Sequence, residues 1–281
     1  MSIYIENLTY AYDKGLPTET SVLHDVSLTV YSGEVLSIVG QTGSGKSTLA
    51  KHLNGLIFPQ HGKITVDGIE INENCKKINE IRKKVGLVFQ YPENQIFAET
   101  VKEELLFAPL NFGYTREEAN KNINEIINIF KIDKIDLEKN PLTFSGGNKR
   151  KIAIASILAY SPKYIIFDEP TAGLDNDAIE DLLCVMKKEK ENGVGIIHIT
   201  HDIELALEIS DRIVVLNQGK IVFQGEKNHL MEFLVSDENN ILDIPPVLKL
   251  SKRLMEKGKI SEITDNPYKL SKMIKDKREC L

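Results

Sequence analysis

The stretch VLSIVGQTGSGKSTLAKHL, residues 35–53, decides the fold expected for this chain. It begins with the apolar run VLSIV, continues with GQTGSGKS over residues 40–47 and ends in a helical pattern that starts at Lys46. GQTGSGKS matches the P-loop pattern G-x-x-x-x-G-K-[ST], and it lies between a strand and a helix as that motif requires. Closely spaced glycines let the backbone curve around phosphate groups without Cβ clashes. The stretch therefore predicts a nucleotide-binding α/β fold.

The residues of this loop have distinct expected roles. Lys46 is expected to reach the β- and γ-phosphates, and the hydroxyl of Ser47 to bind Mg²⁺. The helix that starts at Lys46 adds the positive end of its dipole. A chance glycine-rich turn is the alternative, but the strand before the loop and the helix after it argue against chance. The predicted nucleotide-binding residues are Gly40, Gln41, Thr42, Gly43, Ser44, Gly45, Lys46, Ser47 and Thr48.

The composition is that of an ordinary globular protein. The chain has 281 residues, of which 42% are hydrophobic and 27% charged, enough for a core of normal size. Its net charge of −6 argues against broad electrostatic binding to nucleic acid. The odd set Cys75, Cys184 and Cys280 has no C-x-x-C spacing, so we expect reduced thiols. The sequence shows no signal peptide and no apolar window of about 18 residues, so we expect any membrane contact to be made through a partner.

Four further apolar runs resemble the strand that precedes the P-loop. Continuous runs of this kind suit strands that are buried on both faces of a parallel sheet covered by helices. The first 30 residues instead alternate, as in Val26, Leu28 and Val30, and Asp67-Gly68 is typical of a hairpin turn. We therefore expect a P-loop core with a mostly parallel sheet and a small antiparallel layer. The four runs are VGLVF (85–89), YIIF (164–167), GIIHI (195–199) and IVVL (213–216).

Two helical regions extend this core. Residues 94 to about 160 have helical patterns throughout and separate two core runs, which predicts an inserted helical subdomain. Within it, the sequence from Thr115 to Glu118 forms a capping box. The amphipathic segment VLKLSKRLMEKGK, closed by Gly258, predicts a helix in the C-terminal region. The expected domains are residues 1–228 and a C-terminal helical extension over residues 229–281.

An acidic pair, Asp168 and Glu169, ends the strand YIIF. By itself this is equally well explained as a strand that stops in charged residues. Beside a P-loop, however, a strand-end Asp is positioned to hold Mg²⁺. The adjacent Glu can accept a proton from the water that attacks the γ-phosphate.

Two further polar residues, Gln90 and His201, follow predicted parallel strands in the same way. A lone histidine is usually structural, and Asp202 is a sufficient helix N-cap without it. The carboxyl ends of parallel strands, however, form the edge where open α/β sheets bind their ligands. The convergence of several such residues therefore favours a catalytic site.

Taken together, residues 1–228 resemble an ATP-binding cassette (ABC) ATPase. GQTGSGKS is similar to the Walker A motif, Gln90 to the Q-loop, FSGGN (144–148) to the signature and YIIFDE to Walker B. Residues 172–175 are similar to the D-loop and His201 to the switch histidine. The resemblance implies binding of ATP and Mg²⁺, with catalytic residues Glu169, His201 and Gln90 and metal-binding residues Ser47, Gln90 and Asp168. It also implies that Tyr12 stacks on adenine, with Tyr10 as the weaker candidate.

The resemblance further implies a partner, because the signature of one such subunit closes on ATP held by another. The signature residues Ser145, Gly146, Gly147 and Asn148 would therefore act in trans, on a homodimer or a heterodimer. Asn148 departs from the Gln or Glu that the family more often has there, and Phe144 from Leu. We expect Asn148 to tune this contact without abolishing it.

A narrower resemblance is to the ATPases of energy-coupling factor (ECF) transporters, including the cobalt and nickel group. It is carried by VFQYPENQIFAETVKEELLFAPLNFG and by the tail IPPVLKLSKRLMEKGK. It implies an importer of a vitamin or a transition-metal ion, with a transmembrane coupling protein and a substrate-binding membrane protein as partners. The chain would lie peripherally on the cytoplasmic face of the cell membrane. Gln95, Ile96 and Phe97 are candidates for exposed residues that face the coupling protein, although an apolar pair on an inserted helix is more often part of the core. The tail would contribute to dimerisation.

Three alternatives remain at the level of sequence. One is the ATPase of a conventional ABC importer or exporter, which has the same chemistry and a different membrane partner. Another is a soluble ABC ATPase that acts on ribosomes or DNA, but such proteins usually have two cassettes or long coiled coils. The third, a regulator without turnover, is disfavoured because Glu169 and His201 are both present.

Overall fold

The apolar runs form the parallel strands of a six-stranded sheet in a computed structural model that describes residues 1–236 and 241–279. The sheet has the order β10-β9-β3-β8-β7-β6, and only its edge strand β10 is antiparallel to its neighbour. The prediction of a mostly parallel core is therefore confirmed. Cys280 lies outside the described residues. The strands are β3 (Val35–Val39), β6 (Val85–Val88), β7 (Tyr164–Asp168), β8 (Gly195–Thr200), β9 (Arg212–Asn217) and β10 (Lys220–Gly225).

The antiparallel layer is a separate four-stranded sheet with the order β2-β1-β4-β5. The backbone between β4 and β5 turns at Asp67 and Gly68, whose φ angles are +47° and +80°, as a two-residue hairpin requires. The predicted small antiparallel layer and its hairpin are both confirmed. Its strands are β1 (Ser2–Tyr12), β2 (Thr20–Tyr31), β4 (His61–Val66) and β5 (Ile69–Glu70).

Helices cover the parallel sheet and form the insertion between β6 and β7. Thr115 caps one inserted helix through reciprocal hydrogen bonds with Glu118, so the predicted capping box is confirmed. The helices are α1 (Lys46–Leu53), α2 (Ile78–Lys84), α3 (Val101–Asn111), α4 (Arg116–Ile129), α5 (Gly146–Leu158), α6 (Asn176–Glu191), α7 (Ile203–Ile209), α8 (Lys227–Ser236), α9 (Pro246–Glu256) and α10 (Pro267–Glu279).

The inserted helices α3, α4 and α5 share a core with apolar side chains of β3, β6, β7 and β8. Ile123, Ile126 and Ile127 of α4 are buried in that core, as their helical spacing predicts. Of these candidates, Gln95 and Phe97 are exposed, whereas Ile96 takes the core position that the alternative predicted. Ile96 is buried against the apolar side chains of α3 and α5, whereas Phe97 remains 62% exposed.

The C-terminal helices pack against the sheet and against one another. Leu230 and Leu234 of α8 and Leu248 of α9 are buried with side chains of β9 and α7. The predicted amphipathic helix is α9, and the backbone at Gly258 just beyond it has a φ of +64°. The expected boundary at residue 228 falls inside α8, and the division into two domains stays a prediction. No helix in the two described ranges is long and apolar enough to cross a bilayer.

Candidate nucleotide-binding site

The P-loop connects β3 to α1 in a conformation that needs glycine at two positions. The backbone at Gly45 has a φ of +105°, and a Cβ there would approach the Leu23 side chain to 2.9 Å. A Cβ at Gly40 would collide with the carbonyl oxygen of Leu216 on β9. These glycines therefore let the loop lie close to its neighbouring strands and leave its outer side open.

Lys46 is buried beneath this loop. Its Nζ donates hydrogen bonds to the carbonyl oxygens of Gly40 at 2.7 Å and Gln41 at 3.0 Å. Burial lowers the pKa of the Lys46 ammonium, although the nearby carboxylates of Glu169 and Asp168 oppose that shift. The ammonium therefore lies at the base of the loop, partly desolvated, where an anion would be attracted to it.

Asp168 is the last residue of β7 and is only 5% exposed. Its Oδ1 is buried without a hydrogen-bond partner in the described part of the chain, and the Ser47 hydroxyl lies nearby. Burial raises the pKa of this carboxyl group. A buried carboxylate oxygen beside a hydroxyl oxygen is the kind of ligand set that Mg²⁺ prefers, so these two residues fit the metal.

Glu169 and His201 form a pair at the same edge of the sheet. The Nδ1 atom of His201 lies 2.8 Å from Oε2 of Glu169, whose side chain is 14% exposed. The backbone of Glu169 has a φ of +50°, a left-handed conformation that is uncommon for a glutamate. Its N–H donates to the carbonyl oxygen of Ile199 at 2.9 Å. The turn after β7 thus holds the carboxylate against the turn after β8.

One cavity of about 400 Å³ brings most of the predicted site residues together. Val22 of β2 also lines it, and no sequence signal distinguished Val22 from the other alternating residues of that strand. Gly40, Gln41 and Ser44 of the loop, and Asp168 at the end of β7, do not line the cavity. The predicted residues that line the cavity are Tyr12, Thr42, Gly43, Gly45, Lys46, Ser47, Thr48, Gln90, Glu169 and His201.

The two candidate aromatic residues of β1 have different surroundings. The hydroxyl of Tyr12 lies 3.2 Å from Oγ1 of Thr48, which ties the rim of the cavity to α1. Tyr10 packs edge-on against Tyr12 and against His52, with ring centroids 5.0 Å and 4.7 Å apart. Tyr10 therefore supports its neighbour from the core, and Tyr12 is the ring that lines the cavity.

The signature residues do not line this cavity. Ser145 caps α5 by accepting a hydrogen bond from the N–H of Asn148 at 3.5 Å. Gly146 and Gly147 are exposed, and a Cβ at either would have none of the described atoms within 4 Å. The first turn of α5 therefore presents its N–H groups to the outside of the chain.

Arg150 is a residue of this region that the sequence did not single out. It is 5% exposed, and its Nε and Nη2 atoms donate to the two carboxylate oxygens of Glu93 at 3.0 Å and 2.9 Å. Its Nη1 donates to the carbonyl oxygen of Ala172 at 2.7 Å. One guanidinium thus joins the signature helix to the segment after Gln90 and to the turn after Glu169. The sequence does not distinguish Arg150 from its basic neighbours Lys149 and Lys151, so it could not identify Arg150 as the residue that makes these contacts.

A P-loop, strand-end carboxylates and a second helix with an open, glycine-rich N-terminus define an ATPase of the ABC type. The family described as ABC transporter matches residues 23–172. The "Energy-coupling factor transporter ATP-binding protein EcfA2" of Clostridium tetani is 40% identical over 278 residues, 98% of this chain and 96% of the relative. The protein of the same name from Clostridium perfringens is 42% identical over 92% of this chain and 91% of the relative.

Solved structures agree with these sequence relatives. The structure of cbiO1 from Clostridium perfringens, described as part of the ABC transporter complex cbiONQ, has a TM-score of 0.73 and 30% identity. It covers 90% of this chain and 98% of its own. The dimeric cassette MJ0796 bound to ADP and Pi has a TM-score of 0.71 and 29% identity over 80% of this chain and 98% of its own. This chain belongs to the ABC transporter ATPases and, within them, to the ATP-binding proteins of energy-coupling factor transporters. It binds and hydrolyses ATP.

Proposed function

We propose that this chain powers an ECF-type importer of a vitamin or a transition-metal ion by hydrolysing ATP at the cavity beside its P-loop. The observation that carries the proposal is the 2.8 Å contact between Glu169 and His201 in the cavity that Lys46 also lines. A carboxylate held in this way can take the proton of a water molecule that attacks the γ-phosphate. The imidazole of His201 orients that carboxylate, and Lys46 offsets the phosphate charge.

Ser47, Gln90 and Asp168 would hold Mg²⁺ in this site. The unpartnered Oδ1 of Asp168 and the nearby Ser47 hydroxyl support this assignment. When bound, the ion neutralises charge on the phosphate oxygens. Gln90 lines the same cavity from the end of β6 and would complete the oxygen ligands supplied by the chain.

The working unit in this proposal contains a second ABC ATPase subunit, either a copy of this chain or a homologue. Ser145, Gly146, Gly147 and Asn148 would bind the γ-phosphate held by that subunit. Their exposure, and their absence from the lining of the chain's own cavity, support an action in trans. The extension over residues 229–281 would contribute to pairing through α9, where Leu250 and Met255 are 50% and 43% exposed.

The membrane partners would be an ECF-type transmembrane coupling protein and a substrate-binding membrane protein. The rings of Phe97 and Phe107 meet with centroids 4.7 Å apart, and they are 62% and 51% exposed on the helical insertion. An exposed aromatic pair of this kind is a suitable anchor for a partner helix. The chain would therefore be held peripherally at the cytoplasmic face of the cell membrane.

Co-expression with an ECF-type coupling protein tests this function. We expect a stable detergent-solubilised complex that hydrolyses ATP. The variant Phe97→Glu/Phe107→Glu should lose the complex, because charge would replace the exposed aromatic pair, while the variant chain still binds ATP by itself. As a matched control, Val222→Glu changes another exposed apolar residue, on β10, and should keep the complex. Failure to form the complex, together with binding to ribosomes or DNA, would contradict the proposal.

A further inference from the structure

β1 loses a strand partner on one of its edges before it reaches the nucleotide cavity. On one side, β1 pairs with β2 as far as Tyr12 and Thr20. On the other side, its pairing with β4 ends at Thr9 and His61, because β4 begins at His61. The residues of β1 that approach the cavity therefore have a strand on only one side within the described chain.

The side chain of Gln60 occupies the position of the missing partner. The N–H of Ala11 donates to Oε1 of Gln60 at 3.0 Å, and Nε2 of Gln60 donates to the carbonyl oxygen of Ala11 at 2.7 Å. A carboxamide has the same donor and acceptor as a peptide unit. Gln60 therefore continues the β1–β4 ladder by one residue with its side chain.

Ala11 directly precedes Tyr12, whose ring lines the cavity. The Tyr12 side chain is held by the contact of its hydroxyl with Thr48 and by the edge of the Tyr10 ring. Neither contact fixes the backbone from which the ring projects. That backbone is held by β2 on one side, and on the other side by the two hydrogen bonds of Gln60, one residue away from the ring.

We propose that Gln60 is a positioning residue for binding of the adenine base of ATP. It holds the backbone of β1 so that the ring of Tyr12 faces the nucleotide. This inference rests on the proposed contact of Tyr12 with adenine. Gln60 itself does not line the cavity and acts through Ala11.

The test compares kinetic constants for ATP in the assembled complex. Gln60→Glu keeps the acceptor and loses the donor, and Gln60→Met keeps the length and loses both. We expect each to raise KM for ATP by roughly tenfold and to leave kcat within about twofold, the scale of one or two neutral hydrogen bonds. Inhibition by inorganic tripolyphosphate, which has no base, should be unchanged. Gln224→Met, at an exposed glutamine of β10, is the matched control and should change neither constant.

The Tyr12→Ala background separates this inference from the adenine contact on which it rests. Tyr12→Ala should raise KM for ATP, and Gln60→Met added to it should raise KM no further. A normal KM in Tyr12→Ala would overturn the adenine contact and the role of Gln60 with it. A raised KM in Tyr12→Ala with normal values in both Gln60 variants would overturn the role of Gln60 alone. Weaker tripolyphosphate inhibition in the Gln60 variants, or an additive effect in the double variant, would show a general structural role and also overturn it.

Discussion

The P-loop face and the signature face of this chain are built in opposite ways. Around the P-loop, Lys46 is buried, its Nζ is bonded to the loop carbonyls, and Glu169 is held against His201. At the signature, Ser145 and Gly147 are exposed and the first turn of α5 faces outward. The side chains of the first face are held by hydrogen bonds within the chain. The second is a surface whose exposed backbone N–H groups can donate to an acceptor on another molecule.

The difference follows from where each face obtains its hydrogen-bond partners. The first N–H groups of a helix have no partner inside the helix, and water satisfies them at low cost when they are exposed. A buried ammonium has no such supply, and that of Lys46 is paired with the loop carbonyls within the chain. The P-loop face is therefore hydrogen-bonded within the chain, while the signature face is suited to close on a phosphate.

The largest expected effect is at the P-loop face. Glu169→Gln should lower ATP turnover about 100-fold or more, because general-base catalysis contributes that much, while ATP binding is retained. A chain that binds ATP without hydrolysing it should accumulate as an ATP-bound dimer, measured by size-exclusion chromatography and phosphate release. Glu204→Gln, an exposed glutamate on α7, is the control and should behave as the wild type. Wild-type turnover in Glu169→Gln would refute the role of base.

The next largest effect is expected at the signature face. Gly147→Ala should leave the free energy of unfolding unchanged or raise it by up to about 1 kcal/mol, since alanine favours the helix and its Cβ meets none of the described atoms. It should nevertheless slow the composite site that contains it by about 100-fold, because a methyl group would keep the phosphate from the N–H donors. Thermal unfolding and the ATPase rate of the complex measure the two effects. ATP binding by the isolated variant should be normal, and an unchanged ATPase rate would show that this face is not used.

A smaller effect is expected at the ion pair of Glu93 and Arg150, which joins the signature helix to the segment after Gln90. Burial alone would raise the pKa of Glu93, but its hydrogen bonds and charge interaction with Arg150 outweigh burial and lower it. A carboxyl group whose pKa is lower in the folded than in the unfolded chain stabilises the fold. This stabilisation is complete above the unfolded-state pKa of about 4.3, and it is lost as the pH falls through the folded-state pKa.

Glu93→Gln should therefore cost about 2 kcal/mol of unfolding free energy at pH 7, the usual value for a hydrogen bond to a charged group. The difference from the wild type should shrink below about pH 4.3. Urea unfolding at several pH values measures it. Glu125→Gln, at an exposed position of α4, should cost nothing measurable. A difference that does not vary with pH would mean that the ion pair contributes nothing to stability.

The smallest effect is expected at Asn148. Its side chain is one methylene shorter than that of the Gln more common in the family, and it keeps the same amide. Asn148→Gln should raise the ATPase rate of the complex by about two- to fivefold, less than one full hydrogen bond is worth. A rate at or below that of the wild type would show that Asn148 does not weaken the trans contact.

Much of the fold could be predicted because its signals are local. The P-loop glycines and the continuous apolar strands each leave a pattern within a few residues, and the capping box does so within four. The sequence left open which of Ile96 and Phe97 is buried, because that depends on how α3 and α5 approach them from elsewhere in the sequence. The same holds for Val22, which resembles its neighbours until β2 is placed beside α1.

By itself, the sequence determined the phosphate loop, the strand-end carboxylates and the glycine pair at the start of α5. Each of these features is formed by backbone N–H groups or side chains of a few neighbouring residues, so a short sequence motif is enough to identify it. Only the tertiary structure decided which side chains connect them. The bonds from Arg150 to Glu93 span 57 residues and those from Gln60 to Ala11 span 49. Such contacts depend on how distant strands and helices pack, and no local pattern records that.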